Sequence, residues 1–167
     1  AFNGCRSLTA VPKMNIPTFS NAVSWSSLSN QCNKVEEIDT IKNMYPSSMD
    51  SMFQGCHNLR YAPAMENWNW ESIQTSSTCG GRSMFVACYS LREYPQEVLD
   101  NFWGVHTSYL YVIFYQMLLE CYCMDEVKGA KPITGKRTDD VFRDSFKQAS
   151  RLKCFTFALH ENGTPYD

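Results

Sequence analysis

One short motif, written three times, constrains this chain more than any other feature. The stretch Ser51-Met52-Phe53-Gln54-Gly55-Cys56-His57-Asn58-Leu59-Arg60-Tyr61-Ala62-Pro63 is matched by Ser83-Met84-Phe85-Val86-Ala87-Cys88-Tyr89-Ser90-Leu91-Arg92-Glu93-Tyr94-Pro95. A third copy, Phe2-Asn3-Gly4-Cys5-Arg6-Ser7-Leu8-Thr9-Ala10-Val11-Pro12, opens the chain. All three read Phe-x-x-Cys-x-x-Leu-x-x-apolar-Pro. Weaker copies follow once the pattern is known. Leu28 to Ile38 carries Cys32 and Val35, Met117 to Val127 carries Cys121 and Met124, and Phe146 to Phe155 has Ala149 in place of the cysteine, then Leu152. The anchors are therefore positions 5, 32, 56, 88, 121 and 149, a spacing typical of stacked repeats. Below, positions in each repeat are counted from the anchor.

Counting back seven, four and three from the anchor gives Met49, Met52 and Phe53 before Cys56, and Phe114, Met117 and Leu118 before Cys121. Trp25 and Leu28 precede Cys32, with Ser29 breaking the third column. That spacing predicts a short helix with one apolar stripe. Ser47 and Ser48 are placed to cap a helix starting near Met49, and Thr138, Asp139 and Asp140 one starting near Val141. Past the anchor the period changes. Residues 59–62, 91–94 and 152–157 suit short strands, which Pro12, Pro63 and Pro95 end or bend. A helix turn and a strand cannot bury both apolar edges alone, but stacked copies can. The expected fold is α/β, a repeat solenoid of about six coils, each a short helix plus a short strand, spanning residues 1–159. Residues 160–167 form a tail or the start of a continuing segment. Two long insertions, 64–82 and 96–113, interrupt the repeats, and Lys128 to Thr138 reads as a polar turn region.

The chain has 167 residues, 44% of them hydrophobic, enough for one sizeable core. A formal charge of −2 leaves no electrostatic footprint for nucleic acid. The longest apolar run, Tyr109 to Leu119, is too short to span a bilayer. No charged-then-apolar leader opens the sequence, nor does an initiator Met, so the chain is expected to be processed or a piece of a longer protein.

The motif at Cys5, Cys56 and Cys88 resembles the BspA-like leucine-rich repeat, in its Met-Phe-x-x-Cys-x-x-Leu-x-x-x-Pro variety. The resemblance implies a curved α/β solenoid with a strand-lined face, of the kind found in surface and secreted proteins of gut and oral bacteria and in tail or appendage proteins of their phages. It implies adhesion or protein recognition without enzymatic chemistry. The family shares no set of functional residues that would transfer here.

Cys5, Cys32, Cys56, Cys88 and Cys121 share one repeat position and read as a structural column of small buried thiols. Cys121-Tyr122-Cys123 lacks the spacing and the second pair of a zinc site. Cys79, Cys123 and Cys154 lie off the column and are the candidates for a disulfide or redox role. His57 adjoins Cys56, but consecutive side chains at a turn diverge, so no Cys–His nucleophile is expected. No catalytic residue, metal site or cofactor is assigned. The sequon Asn162-Gly163-Thr164 is followed by Pro165, which argues against its use.

The outward strand positions are more informative. Glu37, Tyr61, Glu93 and Glu126 stand at anchor plus five and are expected to form an adjacent row, a candidate binding surface with one aromatic among acidic side chains. Trp68, Trp70, Trp103, Tyr109 and Tyr111 lie in the insertions, where they either pack on the flank or form an exposed patch; Trp68 and Trp70 are candidates to border the row. The expected function is a non-enzymatic binding module for a protein or glycan at a cell surface, located outside the cell. The alternative is a structural segment of a phage tail or other appendage, contacting neighbouring virion proteins.

Overall fold

The structure, a computed structural model, describes residues 1–11, 13–14, 16–17, 19–72, 81–93, 116–130, 147–151 and 154–157. Its regular elements are eight short strands: β1 (Ala10–Val11), β2 (Val23–Ser24), β3 (Glu37–Ile38), β4 (Ile41–Lys42), β5 (Pro46–Ser48), β6 (Met65–Glu66), β7 (Glu126–Ala130) and β8 (Cys154–Phe157). They form four two-stranded parallel pairs, β1 with β3, β2 with β5, β4 with β6, and β7 with β8.

This overturns the expected α/β solenoid of helix-plus-strand coils. Among the described residues the segments read as helices are runs of turns, and the strands are short parallel pairs. The physical reason is a repeated left-handed backbone. At anchor minus five, Ser27, Ser51, Ser83 and Gln116 have φ between 54° and 57°. At anchor minus one, Gly4, Gln31, Gly55, Ala87, Glu120 and Gln148 also have positive φ. A right-handed helix cannot pass through such residues. Each repeat instead chains four-residue turns. Met52 N–H donates to Met49 O at 3.1 Å, Cys56 N–H to Phe53 O at 3.1 Å and Leu59 N–H to Cys56 O at 3.1 Å. The same three bonds recur as Leu28 to Trp25, Cys32 to Ser29 and Val35 to Cys32, and as Met84 to Gly81, Cys88 to Phe85 and Leu91 to Cys88. The apolar residues sit at the first and last corners of these turns. Corners spaced by three and one reproduce the intervals of a helical stripe.

Three further expectations are corrected. Ser48 belongs to β5 rather than capping a helix, and Thr138 to Asp140 lie outside the described residues. Residues 59–62 and 91–93, expected as strands, form none; the first strands after anchors 5, 32, 121 and 149 begin at plus five, at Ala10, Glu37, Glu126 and Cys154, and the one after Cys56 at plus nine, at Met65. Lys128 to Ala130, read as part of a turn, complete β7. Residues 160–167 lie outside the described residues.

Adjacent repeats join edge to edge through alternate backbone groups. Ser27, Ser29 and Gln31 N–H donate to Asp50, Met52 and Gln54 O, and Ser51, Phe53 and Gly55 N–H to Arg82, Met84 and Val86 O, at 2.7–3.0 Å. Phe85 and Ala87 N–H continue to Met117 and Leu119 O, and Glu120 N–H to Lys147 O. Phe2 and Gly4 N–H reach Leu28 and Asn30 O at the other end. Each bond satisfies a backbone pair that would otherwise lie beside the core, where an unpaired group costs about 1–3 kcal/mol.

The inward corners make one core. Met49, Met52, Phe53, Cys56, Leu59, Met84, Phe85, Cys88, Leu91, Met117, Cys121 and Met124 are completely buried. The Phe53 and Phe85 rings stack, with centroids 5.4 Å apart. Trp68 and Trp70 join this core and stack on each other at 5.1 Å, with the Trp68 indole N–H donating to Ile41 O at 2.7 Å.

Candidate functional site

The anchor-plus-five row is set by the backbone next to it. Glu36 N–H donates to Thr9 O at 3.2 Å, Arg60 N–H to Glu36 O at 3.1 Å and Arg92 N–H to Arg60 O at 3.0 Å. These bonds align anchor-plus-four residues across four repeats, so the residues that follow are neighbours too. Ala10 pairs with Glu37 in β1–β3, and Glu126 pairs with Cys154 in β7–β8, all four at plus five. Adjacent members of such a row stand one strand spacing apart, about 4.8 Å.

Glu37, Tyr61 and Glu93 are exposed, and Tyr61 keeps 43% of its surface in solvent. Beside it the Arg60 guanidinium meets the Glu36 carboxylate at 2.9 Å, both about half exposed. An exposed pair of this kind contributes little to stability. It does fix the orientation of two charges flanking the tyrosine. Tyr61 and Val23 are the exposed large apolar side chains among the described residues.

Trp68 and Trp70 do not extend this surface. They keep 8% and 9% exposure and are committed to the core. Trp103, Tyr109 and Tyr111 lie outside the described residues, as do His106, His160 and Cys79.

Cys5, expected in the buried column, is exposed; the other four anchor thiols are buried and each is tied to a carbonyl of the preceding repeat. Cys32 Sγ donates to Phe2 O at 2.9 Å, Cys56 Sγ to Ser29 O at 3.0 Å, Cys88 Sγ to Phe53 O at 3.2 Å and Cys121 Sγ to Phe85 O at 3.4 Å. In every case the thiol reaches the minus-three carbonyl of the preceding repeat. That oxygen already accepts the N–H of its own anchor, so both of its lone pairs are used. Burial pushes the thiols of Cys56 and Cys121 up to about 12, and that of Cys88 well above its ordinary value. Burial also raises the Cys32 thiol. Groups held protonated in this way are poor nucleophiles and poor metal ligands. Cys5 is exposed, and Cys123 is half-buried; both are free thiols. Among the described residues no three His, Cys, Asp or Glu side chains cluster as a metal site, and no helix is long and apolar enough to cross a membrane.

One column escaped the sequence reading. At anchor plus one, the His57 ring stacks on Tyr89 at 4.4 Å, and Tyr89 stacks on Tyr122 at 5.1 Å. The signal was present, since three successive anchors are each followed by a ring. Spacing within one repeat does not announce the stack, because it depends on the register between repeats.

In comparisons with known proteins the chain matches no family model, no curated protein and no solved structure. The likeness to BspA-like repeats therefore rests on the motif residues alone.

Proposed function

We propose that this chain is a non-enzymatic binding module, recognising a protein or glycan at a cell surface through the anchor-plus-five row. The observation that carries this reading is Tyr61, an exposed aromatic at 43% exposure whose neighbours in the row, Glu37 and Glu93, are exposed carboxylates. Register bonds on the neighbouring residues hold the row in place, so little backbone entropy is lost when a partner docks. Tyrosine adds contact area at low rotamer cost and offers a hydroxyl for a directional hydrogen bond. The flanking Glu37 and Glu93 favour a partner that is cationic or rich in hydrogen-bond donors.

Binding is tested by incubating labelled protein with a glycan array and with intact epithelial cells. Wild type is compared with Tyr61→Ala, with Glu37→Gln plus Glu93→Gln, and with the surface control Lys147→Ala. The reading expects saturable binding that Tyr61→Ala weakens about tenfold or more, as for a central interface aromatic, while the control is unchanged. Absence of saturable binding to either probe, or equal binding by Tyr61→Ala and the control, overturns it.

A further inference from the structure

The plus-one column holds two phenols in contact. The Tyr89 and Tyr122 rings stack with centroids 5.1 Å apart and planes 25° apart, and both side chains are half-buried. The backbone pins the pair on both sides. Cys123 N–H donates to Tyr89 O at 3.2 Å, and Ala87 N–H donates to Leu119 O at 2.9 Å. His57 covers the far face of Tyr89. Neither tyrosine belongs to the thiol column or to the anchor-plus-five row.

We propose that Tyr89 and Tyr122 are an oxidative modification site, coupled within one chain to a dityrosine by a haem peroxidase using hydrogen peroxide. Each phenol gives one electron and one proton to the enzyme. The two phenoxyl radicals join through an ortho carbon of each ring, forming one carbon–carbon bond. The two ring hydrogens then move to the phenol oxygens as the rings regain aromaticity. Hydrogen peroxide accepts the two electrons and two protons through the haem and leaves as two waters. Coupling ordinarily waits on a diffusional encounter of two radicals. Here the rings are already side by side, which replaces that encounter with a high effective concentration. Tyr61 is exposed but has no ring stacked on it among the described residues, so its radical must find a second molecule. The new bond links the fourth and fifth repeats and closes the loop from Tyr89 to Tyr122. It thereby constrains the unfolded chain over a long loop, as a disulfide of that span would.

The test treats dilute native protein with a haem peroxidase and hydrogen peroxide. Products are separated by denaturing electrophoresis, and dityrosine emission and tryptic cross-links are then read from the monomer band. The expected result is a fluorescent monomer containing one cross-link between the Tyr89 and Tyr122 peptides, lighter by two hydrogens, with a Tm above that of untreated protein. Tyr89→Phe and Tyr122→Phe preserve the stack, so folding is retained, and each removes the monomer emission. Tyr61→Phe leaves it intact. Emission confined to covalent dimers, a monomer cross-link that survives both Phe variants, or a His57–Tyr89 adduct in its place overturns the assignment.

Discussion

Ser29→Ala should make the protein more stable, against the usual direction of a core substitution. Ser29 occupies the minus-three corner, where the other repeats place Phe53, Phe85 and Leu118, and it is completely buried. Its hydroxyl has no hydrogen-bond partner. In the unfolded chain that hydroxyl is hydrated, so folding strips its water without replacement. Protein mutational data put this cost at about 1–3 kcal/mol. Alanine keeps the Cβ and removes the orphaned oxygen, leaving a void smaller than a methyl group. The Ser29 carbonyl, which accepts the Cys56 thiol, is backbone and is unaffected. The net gain expected is about 1–2 kcal/mol, which for a chain of this size raises Tm by about 2–8 °C. Urea unfolding is the assay, with Ser7→Ala as an exposed control expected to stay within about 0.5 kcal/mol of wild type. The midpoint should rise with an unchanged m-value. A Ser29→Ala protein equal to or less stable than wild type would show that the hydroxyl is satisfied in solution and that the reasoning is wrong.

Leu59→Ala and Leu91→Ala remove fully buried plus-three corners and should each cost about 2–5 kcal/mol by denaturant titration. Gly55 has φ of 72°, so Gly55→Ala should lose about 1 kcal/mol to left-handed strain, whereas Ala87→Gly, at φ of 58°, should gain stability in the same titration. The thiols of Cys56 and Cys121 are raised in the folded state to about 12. Between about pH 8.5 and 12 the folded protein therefore holds protons that the unfolded chain has released, so the contribution of these two thiols is full below about pH 8.5 and is lost as pH climbs toward 12. A melting curve that is flat across that range contradicts it. Thiol labelling of native protein at neutral pH should modify Cys5 rapidly and spare Cys32, Cys56, Cys88 and Cys121.

Much of the packing was legible in the sequence. The minus-four, minus-three, zero and plus-three positions of the third and fourth repeats are all inside, because one apolar column per turn corner is what buried corners require. The helix was misread for the same reason, since turn corners and helix faces share the intervals three and four. Glycine is the sequence signal for a left-handed residue, and it stands at minus one only in Gly4 and Gly55. Elsewhere Gln31, Ala87, Glu120 and Gln148 adopt the same conformation because neighbouring repeats hold them there, and no local pattern announces it. The alignment of the anchor-plus-five residues followed from counting each repeat from its anchor. The plus-one rings were not legible in this way, because stacking depends on the register between repeats rather than on spacing within one.

The alternating backbone bonds divide the chain into stretches that tolerate length changes and stretches that do not. Between minus six and minus one, donors and acceptors alternate residue by residue, the donors facing the following repeat and the acceptors the preceding one. One added residue there would exchange donors for acceptors along the rest of the block and break the junctions on both sides. Outside these blocks the repeats also meet, through the plus-four bonds and the short parallel pairs, but the chain between those contacts already varies in length, its anchors standing at unequal intervals. Evolutionary drift in length should therefore collect between the turn blocks. The seams are thus the fixed part of each repeat, and any tolerance to insertion must lie outside them.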